Sequence, residues 1–452
     1  MTAIQELRYR TDAAPLLAAV RDLPDPVWLD SGRPHSRTGR FDIVSAAPLR
    51  MLTARAGQGA ATLTDAAALL AEFSAPGVRE SPFATASLAP LPFLGGLIGW
   101  LGYGVGMELQ AIAQRAPEIT RLPALRIGFY AWAAIVDHRM QRTLLLFHPA
   151  CPPALRRDIE RRCRAAPAQA PSEPSRFALE TPFIATTSRQ RYGADIARIL
   201  DYLAAGDCYQ VNYAQHFSAA YAGDPWEAYC RLRALLPSPF SAYLATEDCA
   251  VLSFSPECFL RVEADRVETR PIKGTIARGH TAAEDAELAQ RLQTSAKDRA
   301  ENLMIVDLLR NDLGKSCVPG SIAVPELFAL ESFANVHHLV STVRGRLRAD
   351  QSPLDLLANC FPGGSVTGAP KKRAMEIIAE LEPVARALYC GSIFYLSTHG
   401  RMDSNIAIRT LVADGARIHC WGGGGIVADS APEAEYQESL MKVQLLMKAL
   451  NP

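Results

Sequence analysis

Acidic and basic side chains balance at 47 each in this 452-residue chain, and 49% of its residues are hydrophobic. The balance excludes the basic footprint of a nucleic-acid or anionic-membrane binder, and the apolar content supports a large core spread over two or three domains. The ten cysteines form no Cys-x-x-Cys pair and Met1–Arg10 has no apolar leader, so zinc and secretion are disfavoured and reduced cytoplasmic thiols are expected.

In chain order, Asp25–Ser31 and Arg40–Ser45 alternate as two strands across a polar loop. Ser81–Met107 carries no charge, but Pro82, Pro90, Pro92 and six glycines from Gly95 to Gly106 break any membrane-spanning helix and predict buried strands and turns. Leu125–Phe147 gives two strand patterns turning near Asp137–Gln141. A short basic helix over Pro153–Ala165 follows. The Pro- and Ala-rich stretch 166–176 reads as a linker between an N-terminal region, 1–165, and a C-terminal region, 177–452.

Beyond the linker, Tyr192, Ile196, Ile199, Leu200 and Leu203 recur at helical spacing over Ser188–Ala205. A strand over Asp207–His216, a helix over Trp226–Leu236 and strands near Ala242 and Ala250 come next. The stretch Ser253–Thr275 is the richest in chemistry. Arg261–Glu263 and Arg266–Thr269 alternate about an Ala264-Asp265 turn, so the hairpin returns Glu257 and Lys273 to one place. A buried lysine with a depressed pKa is a nucleophile, and a protonated carboxyl beside it expels a hydroxyl as water. An ordinary cross-strand ion pair is the competing reading.

Helices are predicted over Ala282–Leu292 and Ser295–Arg310. Ser295-Ala-Lys-Asp298 fits a loose capping box, which accounts for Asp298 but not for Glu301 one turn further in. Strand-like Val336–Val343 carries His338, and a helix spans Pro353–Cys360. The loop Phe361–Lys372 is not a Walker A, because Ala369 stands where the lysine belongs; amides at the start of the next helix, Arg373–Leu381, could hold a carboxylate. Ala387–Tyr395 and Asp403–Thr410 read as strands, the second with Arg409 in an apolar run that calls for an anionic partner. Gly422–Gly425 lets backbone approach a ligand. The last helix, Pro432–Leu450, aligns Glu435, Glu438 and Lys442 on one face. The acid pairs 298/301 and 435/438 are what a magnesium site shared with an anionic substrate would use, and solvated salt bridging is the plainer alternative.

Together these residues resemble the chorismate-utilising enzymes over nearly all of Phe177–Leu450. The resemblance rests on Gly206–Asn212, Ser255-Pro-Glu257, Pro271–Thr275, Lys297–Asn302, Asp307–Gly314, His338–Ser341, Phe361–Lys371, Ile406–Thr410, Gly423–Gly425 and Asp429–Glu433, all in the family's order. It implies an α+β fold with two large antiparallel sheets packed as a sandwich and helices outside. It also implies that Glu301 and Glu438 hold Mg2+, with Asp298 and Glu435 behind waters. In this family Lys273 would attack the ring of chorismate, and Glu257 would protonate the departing C4 hydroxyl. Arg409, Tyr389, Gly423 and Gly425 would hold the enolpyruvyl carboxylate. Lys442, Gly274, Thr275, His338 and Ser365 would line the ring end; Ser365 replaces the usual threonine.

Two positions imply which reaction is run. Lysine before Gly274-Thr275 is similar to the branch that aminates chorismate at C4, whereas the anthranilate-forming branch carries alanine. Gln210 stands where water-adding members use a lysine base. No Gly-x-Cys-x-Gly elbow is present, so the resemblance implies ammonia from a separate glutamine amidotransferase subunit. Ser31, Arg40 and Asp42 resemble the family's tryptophan pocket, or else form only a surface strand pair. The rival readings are an anthranilate-forming enzyme and a non-catalytic chorismate or tryptophan sensor.

Overall fold

The structure, a computed structural model, describes residues 2–36, 39–74, 91–167, 177–333 and 336–451. Two antiparallel sheets, of thirteen and ten strands, form its centre. The larger runs from Ala3–Leu7 through Arg142–Phe147, Trp132–Asp137, Phe41–Ser45, Val27–Asp30, Phe240–Ala245, Ala250–Ser255, Thr410–Ala413, Arg417–Ile426 and Gln210–Ala222 to Ile184–Ala185. The smaller runs from Ile272–Ala277 through Val336–Arg346, Arg266–Arg270, Cys258–Glu263, Met402–Asn405, Ser392–Ser397, Gly96–Leu101 and Leu125–Tyr130 to Arg50–Ala54. Helices cover the outside, so the fold is the expected α+β sandwich.

Strands from before and after residues 166–176 share both sheets. Val27–Asp30 pairs with Phe240–Ala245, and Gly96–Leu101 with Ser392–Ser397. Residues 168–176, most of the expected linker, and 81–90 of the uncharged stretch lie outside the described residues. Every residue of Trp132–Asp137 is buried, which suits a strand covered on both sides. Trp28, Tyr229 and Phe254 pack as an aromatic chain inside the larger sheet's cover, with centroids 5.8 and 5.1 Å apart.

Two elements differ from the sequence pattern for one reason: the chain changes sheet within an apolar run. Leu125–Phe147 is three strands, because the chain crosses from the smaller to the larger sheet at Ala131. Asp403–Thr410 is likewise two strands, Met402–Asn405 and Thr410–Ala413, joined by an irregular crossing that holds Arg409. Ala387 and Cys390 take positive φ, of 48° and 62°, so the strand expected from Ala387 starts only at Ser392. Buried residues on both sides of each crossing leave no polar marker of the break.

Within the glycine-rich stretch, Gly96–Leu101 is the expected buried strand, but Tyr103–Leu109 is helical. A Cβ on Gly106 would stand 2.4 Å from Pro362 Cγ, so that helix needs a bare position to dock on the 361–370 loop. The sequence pattern also passed over the helix Gly59–Phe73 and the edge strand Ala323–Ser332. No helix among the described residues is long and apolar enough to cross a membrane.

Candidate active site

The predicted hairpin forms, with Val262 opposite Val267 and Glu263 opposite Arg266. It does not continue to Lys273. Beyond Pro271 the chain leaves the hairpin and pairs with Val336–Arg346, matching Ile272 to Val340 and then Thr275 to His338 with a register shift between. Lys273 and Gly274 form this bulge, and Gly274 has φ +83°, a conformation that suits glycine. A bulge re-aims its side chains. Thr275 Oγ1 lies 2.8 Å from His338 Nδ1, and the same imidazole bonds the Gly274 backbone, so His338 ties down the bulge. Burial and the nearby Arg409 lower the His338 pKa to about 4, leaving the ring neutral.

The bulge turns the Lys273 amine toward Gly425, where a Cβ would sit 3.3 Å from Nζ and 2.9 Å from Gln210 Nε2. Glu257 faces the same amine. Its carboxyl is only 4% exposed, and burial raises its pKa to about 7, against the Ser365 hydroxyl, Lys273 and the Ile272 amide. The Lys273 pKa is lowered, first by desolvation and also by Lys442, while Glu301, Glu257 and Glu438 oppose the shift. Both displacements favour a neutral amine beside a protonated acid, the state that nucleophilic attack with general-acid assistance requires. Glu257 and Lys273 are thus near enough to act on each other's charge, but they are not a cross-strand pair, because Cys258 faces Arg270 and Lys273 lies in the bulge beyond.

The acids come from two helices, Ala296–Gly314 and Pro432–Leu450. Ser295 Oγ accepts from the Asp298 amide at 3.2 Å, while the Asp298 carboxylate approaches Gly274, 3.0 Å from where its Cβ would be. Across the cleft, Glu435 Oε2 and Glu438 Oε1 stand 3.3 and 3.5 Å from the corresponding point on Gly424. Lys442 bridges Glu438, at 2.7 Å, and the Gly423 carbonyl, at 2.9 Å. Ser430 donates to Glu435 at 2.6 Å. Burial raises the Glu301 and Glu435 pKa values. It would raise Glu438 too, but the adjacent Lys442 outweighs it and the value is lowered. Lys297, quoted in the sequence only as the start of a motif and given no role there, lies 3.9 Å from Glu301 and adds its field to Glu435 and Glu438. It sits one helical turn before Glu301, a spacing that could have flagged it.

Among the described residues no three His, Cys, Asp or Glu side chains close into a ready metal cage. The donor set is nevertheless all carboxylate oxygen, split between two helices and partly neutralised by lysines. That chemistry fits a hydrated Mg2+, which takes one or two protein carboxylates and shares the rest of its shell with water and an anionic ligand.

Arg409 adds a desolvated cation. It occupies the crossing between sheets at φ +49°, a strained conformation for arginine. Desolvation lowers its pKa. Its guanidinium makes no hydrogen bond or ion pair among the described residues, so a ligand anion is its natural partner. Tyr389 is buried and stacks parallel to Trp421, 6.4 Å away, forming an aromatic wall. Gln210 is fully buried with neither amide atom partnered. Such a group awaits a polar ligand or water.

Ser365 is buried on the loop before the helix start whose amides were expected to be able to hold a carboxylate. That loop is used differently: Gly368–Ala369 pairs with Gln210–Val211, and Thr367 O accepts from the Asn212 amide. The following helix begins at Lys371, two residues earlier than its pattern suggests.

Of the three N-terminal candidates, Ser31 and Arg40 line a cavity of about 700 Å³ that also touches Phe41, Phe333, Ile272 and Val340. Asp42 does not line it. Its carboxylate accepts from the Ser31 amide at 2.7 Å and contacts His138 Nε2 at 3.0 Å, fixing the cavity wall from behind.

Residues 25–448 match the chorismate binding enzyme family. Aminodeoxychorismate synthase component 1 of Salmonella typhimurium is 44% identical, covering 98% of this chain and 97% of that one. Anthranilate synthase component 1 of Thermus thermophilus is 39% identical over 80% of this chain and 78% of its own. Among solved structures, anthranilate synthase component I from Streptococcus pneumoniae superposes with a TM-score of 0.78 at 29% identity, covering 91% of this chain and 92% of that chain.

Proposed function

The chain belongs to the chorismate-binding enzyme family, and within it we propose that the chain aminates chorismate to 4-amino-4-deoxychorismate, the first step toward para-aminobenzoate and folate. The observation that carries this reading is the desolvated Lys273 amine facing the protonatable Glu257. Near-full-length similarity to an aminodeoxychorismate synthase component 1 supports it, as does Gln210 in place of a water-activating lysine.

In this reading Lys273 attacks the ring carbon beside the carboxylate-bearing carbon, giving up an amine proton, and both ring double bonds shift toward C4. The C4 hydroxyl leaves as water with the proton of Glu257. Ammonia then adds at C4 and gives up a proton, the double bonds shift back, and the Lys273 amine leaves after regaining its proton, so no oxidant or reductant is consumed. Arg409 and the Gly423 and Gly425 backbone hold the enolpyruvyl carboxylate, with Tyr389 closing that side. Gly274, Thr275, His338, Ser365 and Lys442 enclose the ring. Glu301 and Glu438, backed by Asp298 and Glu435, would hold Mg2+, which supplies positive charge for the ring carboxylate.

Ammonia is proposed to come from a separate glutamine amidotransferase subunit in a cytoplasmic setting, where the chain's free thiols would persist. Chromatography of the product from chorismate, Mg2+ and ammonium salt tests the reaction. We expect 4-amino-4-deoxychorismate. Anthranilate would transfer the chain to the rival branch, and no turnover would favour a sensor. Glutamine in place of ammonium should support turnover only once the amidotransferase subunit is added.

The cavity beside Ser31 and Arg40 is proposed to hold tryptophan, supported by its volume and its mix of aromatic and arginine walls. Calorimetric titration with tryptophan should give saturable heat that Ser31→Trp abolishes. A flat titration of the intact chain would reject the assignment.

A further inference from the structure

Each acidic helix carries a fully buried polar residue directly after a carboxylate of the proposed Mg2+ site: Asn302 follows Glu301, and Ser439 follows Glu438. Both are hydrogen-bonded to the sheet beneath. Asn302 Oδ1 accepts from Ser341 Oγ at 2.6 Å, and its Nδ2 donates to Leu339 O at 3.3 Å. Ser341 is itself held, accepting from the Phe328 amide at 3.1 Å. Leu339 lies opposite the Lys273–Gly274 bulge, between the partners of Ile272 and Thr275. One side-chain amide therefore ties the helix that bears Glu301 to the strand position facing the reactive lysine.

Across the cleft, Gln215 Nε2 donates to Ser439 Oγ at 2.6 Å, and that hydroxyl donates to Tyr436 O at 2.8 Å. Gln215 pairs with Gly422, where a Cβ would be 2.4 Å from Ser439 O, so the helix settles directly onto the strand pair. Gln215 is buried, and its Oε1 has no partner among the described residues. A methionine of similar length would avoid that cost, so stability alone does not account for the amide. What the amide adds is direction.

Much of the remaining buried face is apolar, with Ile305, Val306 and Leu309 on one helix and Val443 and Leu446 on the other. Apolar contact is non-directional and fixes a helix's rotation less sharply than a hydrogen bond does. Asp312 ties down the far end of the first helix, accepting from the buried Lys371 at 2.6 Å; that ammonium also donates to Cys360 O and Pro362 O, both at 2.8 Å. Rotation matters at the scale of the metal. Side chains project about 5–6 Å from a helix axis, so turning a helix by roughly 20° swings a carboxylate by about 2 Å. That is about the length of a Mg2+–oxygen bond, and Mg2+ demands near-ideal octahedral geometry.

We infer that Asn302 and the Gln215–Ser439 pair are positioning residues that fix how Glu301 and Glu438 face each other across the cleft, and so set the affinity of the site for Mg2+. The inference rests on the metal site of the proposed function. Each anchor acts through the acid beside it.

The test is calorimetric titration of the full chain with Mg2+, chorismate present, and needs no turnover. Asn302→Ala should weaken Mg2+ binding about tenfold, the scale on which loss of a group that orients a metal ligand is felt. Gln215→Met combined with Ser439→Ala should do the same. In the Glu301→Gln background, Asn302→Ala should change the affinity less than about twofold, whereas in the Glu438→Gln background it should still cost about tenfold. The Gln215–Ser439 variant should show the reverse pattern. A residue that only stabilises the fold has no reason to respect which acid is present, so equal losses in both backgrounds would overturn the inference. If Asn302→Ala does not fold, Ser341→Ala replaces it, withdrawing the hydroxyl from Asn302 Oδ1 and leaving the amide in place. No Mg2+ binding by the wild type would overturn the metal reading and this inference with it. Wild-type binding that the anchor variants leave unchanged would overturn this inference alone.

Discussion

Lys273→Ala should lower ammonia-dependent chorismate turnover by at least about 10³-fold, the scale on which loss of a covalent nucleophile is felt. Lys273→Arg should be as damaging, because a guanidinium stays charged and cannot attack. In the wild type, intact-mass analysis of a quenched reaction should find an adduct on the chain, and the Ala variant should show none. The pH profile follows from the same pair. Glu257 must be protonated to expel the hydroxyl, and its pKa is raised to about 7, so the rate should fall as pH climbs through that value. Full activity in Lys273→Ala, or a rate that keeps rising well past neutrality, would leave the nucleophile assignment without support.

The second large effect concerns the acidic helices. Glu438→Gln should weaken Mg2+ binding, measured calorimetrically with chorismate present, by about 10- to 100-fold, or roughly 1.4–2.8 kcal/mol. Lys442 already neutralises Glu438 at 2.7 Å, so a bound cation must share that carboxylate with an ammonium. Lys442→Met removes the competitor and should tighten binding of Mg2+ alone while weakening chorismate. If both variants bind Mg2+ like the wild type, the ion is held elsewhere.

Much of the site was legible because its chemistry is local in sequence. The hairpin turn at Ala264-Asp265 followed from alternation, and the acid pairs from helical spacing. Other features depend on where the chain changes layer. Arg409 was recognised as needing an anion, yet the residues around it read as continuous strand, because the crossing at 406–409 is as apolar as the strands it joins. Lys273 was expected at the hairpin's end, whereas its aim comes from a bulge that exists only against Val336–Arg346. Lys371 gave no sequence cue at all: a lysine near a helix start looks solvated until Asp312 and two carbonyls from distant segments are seen around it. The edge strand Ala323–Ser332 was missed because its exposed, Pro-containing pattern resembles a loop.

The run Gly422–Gly425 constrains how this scaffold can evolve. A methyl on Gly422 or Gly423 would strike backbone, Ser439 O or Tyr213 O, each at 2.4 Å, whereas one on Gly424 or Gly425 would meet only side-chain ends, Glu435 at 3.3 Å and Gln210 at 2.9 Å. At Gly422 and Gly423 this wall of the proposed site is therefore closed to any side chain, whatever the chemistry. Variation in what the site binds is therefore left to the side chains that face this wall, such as Gln210 and Lys273 beside Gly425.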